Sequence, residues 1–457
     1  MTVPRLYLGI DIGTQGVRAL AVTEDGVVVG AASQPLQVPK SETHQEQEPE
    51  SWWNAVVDVV HQLGSLRDAI CSLALSCTSG SVCMVDRNGD PIGPGLLYAD
   101  PRAIAFEGKG SSWAVSKIAW LLAHEPDLTD RCAHFTSPGG FVATRLLGEI
   151  ASIDVTQALK FGFDPGRNAW NDVPVDQSKL PAVVATGVEL GVLCASAAQA
   201  TGLRSDTRVV SGATDGVAGQ YACRPTSERW AVSIGSTIVW KAMADRRIDS
   251  ETLGVYSHRG PGQWWLPGAA ATAGARILSD WATDTELTRF GNDATFAPTV
   301  RPAYPSVVRG ERFPFDNPKF EPWTIKAATG IDRYKSELLG AAFVERWGCD
   351  VLVHEGCAAP RSIASTGGAV ASTSWTQLRS DVMQTSIEIP AEPSSAFGAA
   401  VLAASPLHGG VLEASEAMVR FSRVVEPDTA VEGQWDDAFA QFQQRCLQTQ
   451  ESDYDHS

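Results

Sequence analysis

The amino-acid sequence predicts an α/β fold of two similar domains with a central interdomain cleft. At 457 residues the chain exceeds the size that one ordinary hydrophobic core supports. Short β-type runs alternate with helical patterns along it. A strand–loop–strand pattern near residue 13 returns near residue 235, and this spacing of about 220 residues is expected of a duplicated domain. We therefore place one domain at residues 1–225 and the other at residues 226–457, joined by a hinge.

The charge and the cysteine content exclude several classes of partner. The formal net charge of −17 repels polyanions, so we expect neither a nucleic-acid nor a membrane partner. The nine cysteines are odd in number and contain no C-x-x-C pair, which is typical of a reduced, cytosolic compartment. No apolar run reaches the length of a transmembrane helix. These features predict a cytoplasmic protein.

The first elements follow from local patterns. Three β-type runs at 6–11, 16–23 and 27–32 predict an antiparallel meander. Apolar residues at helical spacing over 48–63 then predict a helix that packs on the sheet. A later β-rich run breaks at Thr78-Ser79-Gly80, and small polar residues at such a break often face a cleft.

The loop after the first strand has the composition of a phosphate-binding loop. Gly13 and Gly16 allow positive φ, so that consecutive N–H groups can converge on phosphate oxygens. Thr14 and Gln15 add side-chain donors. Asp11 ends the strand beside this loop, and a carboxylate next to phosphate implies a divalent cation or a substrate hydroxyl between them. The alternative is an ordinary hairpin whose aspartate accepts turn amides.

Three later segments extend this pattern. The stretch "SIGST" at 233–237 repeats the opening loop, so two such loops could hold successive phosphates of one nucleotide. Asp215 in "SGATDGVAG" has the setting of a general base, and its alternative role is an Asx-turn or a helix N-cap. The Gly-rich "TGGAVAS" at 366–372 would let an adenine or a ribose lie close to the backbone.

For other polar residues the sequence indicates a function less clearly. Asp100 and Arg102 in "LLYADPRA" could contact a polyol or pair with each other, and the sequence favours neither. "RGERFPF" at 309–315 is interpreted first as an interdomain salt-bridged loop. The histidines and cysteines lack metal-site spacing, so no zinc site is predicted.

Several motifs in order along nearly the whole chain resemble those of the FGGY carbohydrate kinases: "GIDIGTQGVRAL", "HQEQEPESWW", "LLYADPRA", "SGATDGVAGQ", "SIGST", "GERFP", "STGGAVASTSWTQLRSDV" and "AFGAAVLAA". The resemblance implies two ribonuclease-H-like domains of the actin, heat-shock-70 and sugar kinase superfamily, which close on ATP and substrate. "SCTSGSV" and "QALKFGFDP" look closest to the D-ribulose kinase branch.

The resemblance also implies roles for individual residues. Asp215 matches the catalytic aspartate, which takes a proton from the sugar hydroxyl and contacts the substrate. Asp11 matches the aspartate near magnesium and substrate. Asp100 is a further substrate-binding candidate from its own polyol-contact alternative, not from the resemblance. Ser79 lies where pentulose kinases place a sugar-contacting residue, and Thr78 and Gly80 beside it are further substrate-binding candidates. The nucleotide-binding candidates are Gly13, Thr14, Gln15, Gly16, Gly235, Ser236, Thr237, Gly274, Gly310, Gly367, Gly368 and Ser372.

One motif departs from the family. The adenosine motif usually has a third glycine and a lysine, whereas this chain has Ala369 after Gly367-Gly368 and no lysine. Alanine in place of glycine costs little free energy where φ is negative and much where φ is positive.

The predicted function is an ATP- and Mg²⁺-dependent kinase that converts a ketopentose, D-ribulose first, to its 5-phosphate. Glycerol kinases carry an Arg-Glu pair and xylulose kinases a histidine where this chain has Thr78-Ser79-Gly80, and short hydroxyls suit a ketopentose. The alternatives are a kinase for xylulose, L-ribulose or a polyol, and a weakly catalytic sugar- and nucleotide-binding sensor. The expected partners are the sugar and ATP, and the expected state is a monomer or homodimer.

Overall fold

The computed structural model describes residues 5–38, 41–325 and 330–451, and these form two compact units. Unit 1 contains the described residues up to Arg224, together with His258–Gly262 and Glu392–Arg420. Unit 2 contains Pro225–Ser257, the described part of Gln263–Ala391, and the described residues from Phe421 onward. Residues 392–420, which were predicted to belong to the C-terminal domain, therefore pack with unit 1.

The strands of unit 1 form one six-stranded sheet and several short pairs. They are β1 (Leu6–Ile12), β2 (Gly16–Thr23), β3 (Val28–Pro35), β4 (Glu46–Gln47), β5 (Ile70–Cys77), β6 (Cys83–Val85), β7 (Gly95–Leu96), β8 (His134–Thr136), β9 (Ile153–Asp154), β10 (Phe163–Asp164), β11 (Ala169–Trp170), β12 (Val183–Val184), β13 (Glu189–Val192) and β14 (Arg208–Thr214). The main sheet has the order β13-β14-β5-β1-β2-β3. Strands β1, β2 and β3 pair antiparallel, which confirms the predicted meander.

Unit 2 repeats this topology. The strands of its sheet are β15 (Arg229–Ile234), β16 (Ile238–Lys241), β17 (Tyr256–Arg259), β18 (Trp265–Ala270), β19 (Ser362–Thr366), β20 (Ser386–Pro390) and β21 (Phe421–Val425), in the order β17-β18-β16-β15-β19-β20-β21. The last two residues of β17, His258 and Arg259, are grouped with unit 1. Strands β15, β16 and β18 pair antiparallel as β1, β2 and β3 do. The parallel run β15-β19-β20 matches β1-β5-β14. The duplication predicted from the two loops is thus confirmed at the level of the sheets.

Fourteen α-helices of the described residues surround these sheets. They are α1 (Pro49–Gln62), α2 (Ala114–His124), α3 (Pro126–Arg131), α4 (Pro138–Leu147), α5 (Val155–Ala158), α6 (Ala195–Thr201), α7 (Asp215–Tyr221), α8 (Arg276–Ser279), α9 (Asp284–Asp293), α10 (Ile331–His354), α11 (Thr373–Met383), α12 (Ser395–His408), α13 (Val411–Met418) and α14 (Asp436–Glu451). Helix α1 begins at Pro49, where proline's fixed φ suits the first turn.

No single helix in the described part of the chain is long and apolar enough to cross a bilayer. The bent pair α12 and α13 meets the same test by length and composition alone. Ten consecutive residues of α12, from Ala396 to Ser405, are buried in the protein.

Helix α12 packs so closely against β1 and α7 that the backbones of these elements are in direct contact. A Cβ atom added to Gly9 on β1 would lie 1.9 Å from the carbonyl oxygen of Ala396. A Cβ atom added to Gly398 on α12 would lie 1.8 Å from the carbonyl oxygen of Ala218 on α7. Both distances are far below van der Waals contact, so only glycine fits at either position. One helix therefore fixes the placement of β1 and of α7.

Substituting Gly398 with alanine is expected to destabilise unit 1 by at least about 1–3 kcal/mol, because the added methyl group must push α12 away from α7. Urea unfolding followed by tryptophan fluorescence measures this. The matched control is Gly110→Ala, where the new methyl group meets no atom within 4 Å. Equal midpoints for the two variants would contradict the close approach of α12.

Candidate active site

Asp11 lies near the carboxyl end of β1 and is held by a serine of the next strand. It is in register with Ser76 on β5, whose Oγ donates a hydrogen bond of 2.7 Å to Asp11 Oδ1. The pKa of Asp11 is raised to about 6, mainly by burial; the Ser76 hydrogen bond opposes this rise, and the negative charge of Asp215 adds to it. Ser76 was not identified from the sequence, because nothing local to residue 76 shows that it faces Asp11.

Asp215 is the first residue of α7, and the capping role is taken by its neighbour. The hydroxyl of Thr214 accepts a hydrogen bond from the Val217 amide at 3.4 Å. Asp215 Oδ1 accepts one from the Gly216 amide at 2.7 Å. The alternative interpretation of Asp215 as the N-cap of this helix is therefore wrong.

A buried network fixes the backbone just before Asp215. The Thr214 amide donates to Thr156 Oγ1 at 2.9 Å, and that hydroxyl donates to Asp154 Oδ1 at 2.5 Å. Asp154 also caps α5 through the amides of Thr156 and Gln157. The start of α7 is thus tied to α5 as well as to α12.

The loop after β1 is shaped by neighbouring backbone rather than by unusual φ angles. Contrary to expectation, neither Gly13 nor Gly16 lies in the left-handed region. Gly16 is needed because a Cβ atom there would lie 2.7 Å from the carbonyl oxygen of Gln34. The Gly13 amide donates within the loop to the Gly16 carbonyl oxygen. The amides of Thr14 and Gln15 have no hydrogen-bond partner among the described residues and remain the available donors.

A glutamine whose role was not predicted from the sequence supports this loop. Gln47 Nε2 donates to the carbonyl oxygen of Thr14 at 2.8 Å, and Gln47 Oε1 accepts from the indole N–H of Trp52 at 2.8 Å. Gln47 and Trp52 both belong to the motif "HQEQEPESWW". These two hydrogen bonds explain why the buried residue 47 is polar.

The break after β5 carries an unpartnered hydroxyl. Gly80 has φ +87°, and a Cβ atom there would lie 2.2 Å from the carbonyl oxygen of Ser112. Ser79 Oγ is buried and has no hydrogen-bond partner in the described structure. The Thr78 amide donates to the carbonyl oxygen of Ile12, which joins this break to the end of β1. A buried hydroxyl without a partner is costly, and a ligand hydroxyl would remove that cost.

Two buried lysines lie beside this break, and neither was assigned a role from the sequence. Lys160 Nζ is 5.1 Å from the centre of the Tyr98 ring. Lys117 donates to the carbonyl oxygens of Tyr98 and Ser111, and burial lowers its pKa to about 8. The charge of the nearby Asp100 opposes this lowering, and that of Lys160 adds to it.

Asp100 forms the ion pair that the sequence left as one of two alternatives. Its side chain is fully buried and accepts hydrogen bonds from the Gln45 amide and from the Arg102 backbone and guanidinium. Arg102 also contacts Glu46 at 2.5 Å. Because its oxygens are all engaged, Asp100 is not retained as a sugar ligand.

In unit 2 the loop from Gly235 to Thr237 occupies the position that the first loop has in unit 1. The Gly235 amide donates to the Thr237 carbonyl oxygen, and the side chains of Ser236 and Thr237 are exposed. A Cβ atom on Gly274 would lie 2.4 Å from the carbonyl oxygen of Ser236. The close approach to Ser236 therefore requires glycine at position 274, as the close approach to Gln34 requires Gly16 in the first loop.

The Gly-rich segment after β19 starts with a left-handed glycine. Gly367 has φ +83°, and a Cβ atom there would lie 2.4 Å from the Ile234 carbonyl oxygen. A Cβ atom added to Gly368 would meet no other atom within 4 Å, so the surface at this glycine is open. Ala369 does not have a positive φ, so the methyl group that departs from the family motif costs little there. Ser372 caps α11 by accepting from the Trp375 amide.

Glu311 organises the segment that contains Gly310. Its carboxylate accepts hydrogen bonds from the Thr272 amide and hydroxyl at 2.8 Å each and from the Tyr304 hydroxyl at 2.7 Å. These donors are neutral, and the salt bridge of "RGERFPF" is formed instead by Arg309, which contacts Glu321 at 3.0 Å within unit 2. Gly310 has φ +86°, which the turn at this point requires.

The described residues contain no group of three or more histidine, cysteine, aspartate or glutamate side chains placed to hold a metal ion. Asp11 still suits a divalent cation, because its buried charge is poorly compensated. Mg²⁺ is commonly bound through one or two carboxylates, with substrate phosphates and waters as the other ligands.

Comparison with known proteins agrees with the resemblance to the FGGY family, although curated relatives of this chain are named xylulose kinases rather than D-ribulose kinases. The model described as "FGGY family of carbohydrate kinases, N-terminal domain" matches residues 6–109 and 108–222, and the corresponding C-terminal model matches residues 231–406. A xylulose kinase of Escherichia coli is 26% identical over 439 residues, covering 87% of this chain and 89% of its own.

Solved structures share the fold. A structure described as a "xyloylose kinase" from Brucella ovis has a TM-score of 0.89 at 23% identity, covering 98% of this chain and 100% of its own. A gluconate kinase from Lactobacillus acidophilus has a TM-score of 0.85 at 16% identity, with 96% and 97% covered. Kinases with different names thus share this two-domain architecture.

We expect Asp11→Asn to stabilise the ligand-free protein at high pH. Because the folded-state pKa of about 6 lies above that of an unfolded aspartate, wild-type stability falls as pH rises between about 4 and 6. Asparagine does not titrate. The free energy of unfolding of the variant should therefore exceed that of wild type by on the order of 1–2 kcal/mol at about pH 8, and this difference should disappear towards about pH 4. Urea unfolding at both pH values measures it.

The control for this prediction is the exposed Asp172→Asn, which also removes one carboxylate but not a buried one. A stability difference between Asp11→Asn and wild type that is the same at both pH values would contradict the raised pKa of Asp11.

Proposed function

The chain belongs to the FGGY family of carbohydrate kinases, and we propose that it transfers the γ-phosphoryl group of ATP to a terminal hydroxyl of a ketopentose. The first candidate substrate is D-ribulose, with D-ribulose 5-phosphate as the product. The observation that carries the proposal is that α12 packs directly against both β1, which bears Asp11, and α7, which begins with Asp215.

In the proposed reaction Asp215 is the general base. Its carboxylate accepts the proton of the sugar hydroxyl while that oxygen attacks the γ-phosphorus, and the bond between the γ-phosphorus and the bridging oxygen breaks to release ADP. Thr214 caps α7, and the Gly216 amide orients the Asp215 carboxylate by donating to its Oδ1 at the start of this helix. The hydrogen bonds through Thr156 to Asp154 hold the backbone at that point.

Asp11 is the proposed protein ligand of magnesium. When bound, Mg²⁺ would neutralise phosphate charge. Ser76 orients the Asp11 carboxylate by a hydrogen bond to one of its oxygens. The amides of Thr14 and Gln15 are proposed donors to phosphate oxygens from unit 1.

Unit 2 supplies the proposed nucleotide subsite. The exposed hydroxyls of Ser236 and Thr237 suit further phosphate oxygens. The open surface at Gly368 suits an adenine or ribose lying against the backbone. Glu311 would maintain this subsite indirectly, through its hydrogen bonds to Thr272 and Tyr304.

The sugar subsite is proposed at Thr78-Ser79-Gly80. The unpartnered Ser79 hydroxyl suits a sugar hydroxyl, and its small size favours D-ribulose in the first instance. D-Xylulose is the second candidate, because curated relatives such as that of Escherichia coli are named xylulose kinases. A gluconate kinase shares the fold, so the residues of the subsite rather than the architecture must select the sugar.

Asp215→Asn is expected to lower kcat for ketopentose-dependent ADP release by about 10²–10⁴-fold, because it removes the proton acceptor. The KM for ATP should change little. The matched control Asp172→Asn, at an exposed position of the same unit, should keep wild-type turnover. Near-normal turnover by Asp215→Asn would refute its role as the base.

The substrate is tested by kcat/KM with Mg·ATP across D-ribulose, D-xylulose, L-ribulose, xylitol, ribitol and glycerol. We expect the highest value for D-ribulose, and a loss of about fivefold to tenfold in Ser79→Ala if one hydrogen bond to the sugar is removed. A highest value for D-xylulose would replace the first candidate by the second. Sugar binding without turnover across the panel would favour the sensor alternative.

A further inference from the structure

An arginine on the last strand of unit 2 holds the Gly-rich segment that follows β19. Arg423 lies on β21 and pairs with Ile389 on β20. Its Nη2 donates a hydrogen bond of 2.8 Å to the carbonyl oxygen of Val370, and its Nη1 donates one of 3.0 Å to Thr373 Oγ1. Val370 lies within the Gly-rich segment, and Thr373 is the first residue of α11. A single guanidinium thus fixes the end of this segment from another strand.

The hydrogen bonds within the segment are longer than those from Arg423. The segment forms a single 3₁₀ turn at Gly368–Ala371. The amides of Val370 and Ser372 donate to carbonyl oxygens three residues earlier, at 3.4 and 3.3 Å. Both distances exceed the usual range for an N–H donor and an oxygen acceptor, and 3₁₀ geometry is poorer than α-helical geometry. The shorter, charge-assisted bonds from Arg423 are therefore the stronger constraint on this turn.

The positive charge at this turn also comes from Arg423. Residues 366–372 contain no charged side chain, and Ala371, between the two contacts, is exposed. A positive charge at the start of a helix is unfavourable, because it faces the positive end of the helix dipole. Arg423 lies at the start of α11 against this preference. Charge therefore does not explain its placement, whereas the two hydrogen bonds that hold the turn do.

The shape of this turn determines the surface that the proposed nucleotide subsite offers. A Cβ atom added to Gly368 would meet no other atom within 4 Å, so the backbone of the turn is open there. A nucleoside lying against it would contact the main chain, whose position depends on the turn as a whole. If a turn holds its binding conformation for only a fraction of the time, the apparent Kd rises as the inverse of that fraction. Bonds that hold the turn therefore strengthen nucleoside binding without contacting the nucleoside.

We propose that Arg423 is a positioning residue for nucleotide binding, which holds the turn at Gly368–Ala371 in the conformation that the nucleoside part of ATP contacts. The inference rests on the nucleotide subsite proposed for unit 2. It assigns the two parts of one nucleotide to separate supports. Arg423 supports the surface for the nucleoside, and the loop from Gly235 to Thr237 offers donors to the phosphates.

Two measurements on the full chain test this role, and neither requires turnover. Isothermal titration with ADP and Mg²⁺, without ketopentose, gives the nucleotide affinity. Amide hydrogen exchange of the ligand-free protein reports on opening of the turn. Arg423→Met keeps a long side chain and removes both donors. We expect about tenfold weaker ADP binding and at least about tenfold faster exchange of the Val370 and Ser372 amides, with no change in α10.

Two further variants and a control separate the hydrogen bonds from the charge. Arg423→Lys keeps the charge but cannot reproduce the two-pronged contact, and it should weaken ADP by about threefold. Thr373→Val removes one acceptor and should have a similar effect in wild type, but little further effect in Arg423→Met, because the two residues act through one hydrogen bond. The control Arg361→Met removes an exposed arginine that directly precedes β19, at the opposite end of that strand, and should change neither measurement.

Unchanged ADP affinity in Arg423→Met, with or without faster exchange, would overturn the inference and leave the proposed function intact. Weaker ADP binding without faster exchange would make Arg423 a direct ligand of the nucleotide, and would also overturn it. Failure of the wild-type protein to bind ADP would refute the nucleotide subsite itself, and the inference with it. If Arg423→Met does not fold, Arg423→Lys and Thr373→Val decide the same comparison on smaller effects.

Discussion

The arrangement of unit 1 depends on the contact that α12 makes with β1 and α7. Gly9 and Gly398 allow backbone atoms to approach where any side chain would overlap with them. The elements fixed in this way carry Asp11 and Asp215, the two carboxylates on which the proposed chemistry rests. Ser76, which orients Asp11, is also near α12, since its Oγ lies 3.4 Å from the Ser395 carbonyl oxygen. The close packing thus determines the site as well as the stability.

This placement has an energetic consequence. Burial and the neighbouring Asp215 disfavour the charged form of Asp11, so the ligand-free protein carries an electrostatic cost at neutral pH. A cation bound at Asp11, as proposed, would reduce that cost, which is the usual balance between stability and function at an active site. Unit 2 also uses glycines in this way, because Gly274 and Gly367 let neighbouring backbone shape its loops.

Local patterns were sufficient for much of the fold. The meander of β1, β2 and β3 follows from short-range alternation, and the duplication from a loop that occurs twice. The expectation of positive φ at Gly13 and Gly16 was wrong, because Gly16 is required by the approach of Gln34, which lies in a different strand. The supporting roles of Ser76 and Gln47 were missed for the same reason, since each acts on a residue more than thirty positions away. The packing of residues 392–420 with unit 1 likewise rests on contacts that spacing does not reveal.

The central claim is transfer of a phosphoryl group to the terminal hydroxyl of a ketopentose. It is tested most directly by ³¹P and ¹³C NMR of the products formed from Mg·ATP and ¹³C-labelled D-ribulose. The account predicts one new phosphomonoester whose phosphorus couples to the C5 carbon of the sugar, together with stoichiometric ADP. Inorganic phosphate beside unchanged D-ribulose, or a phosphate ester at another carbon, would contradict it.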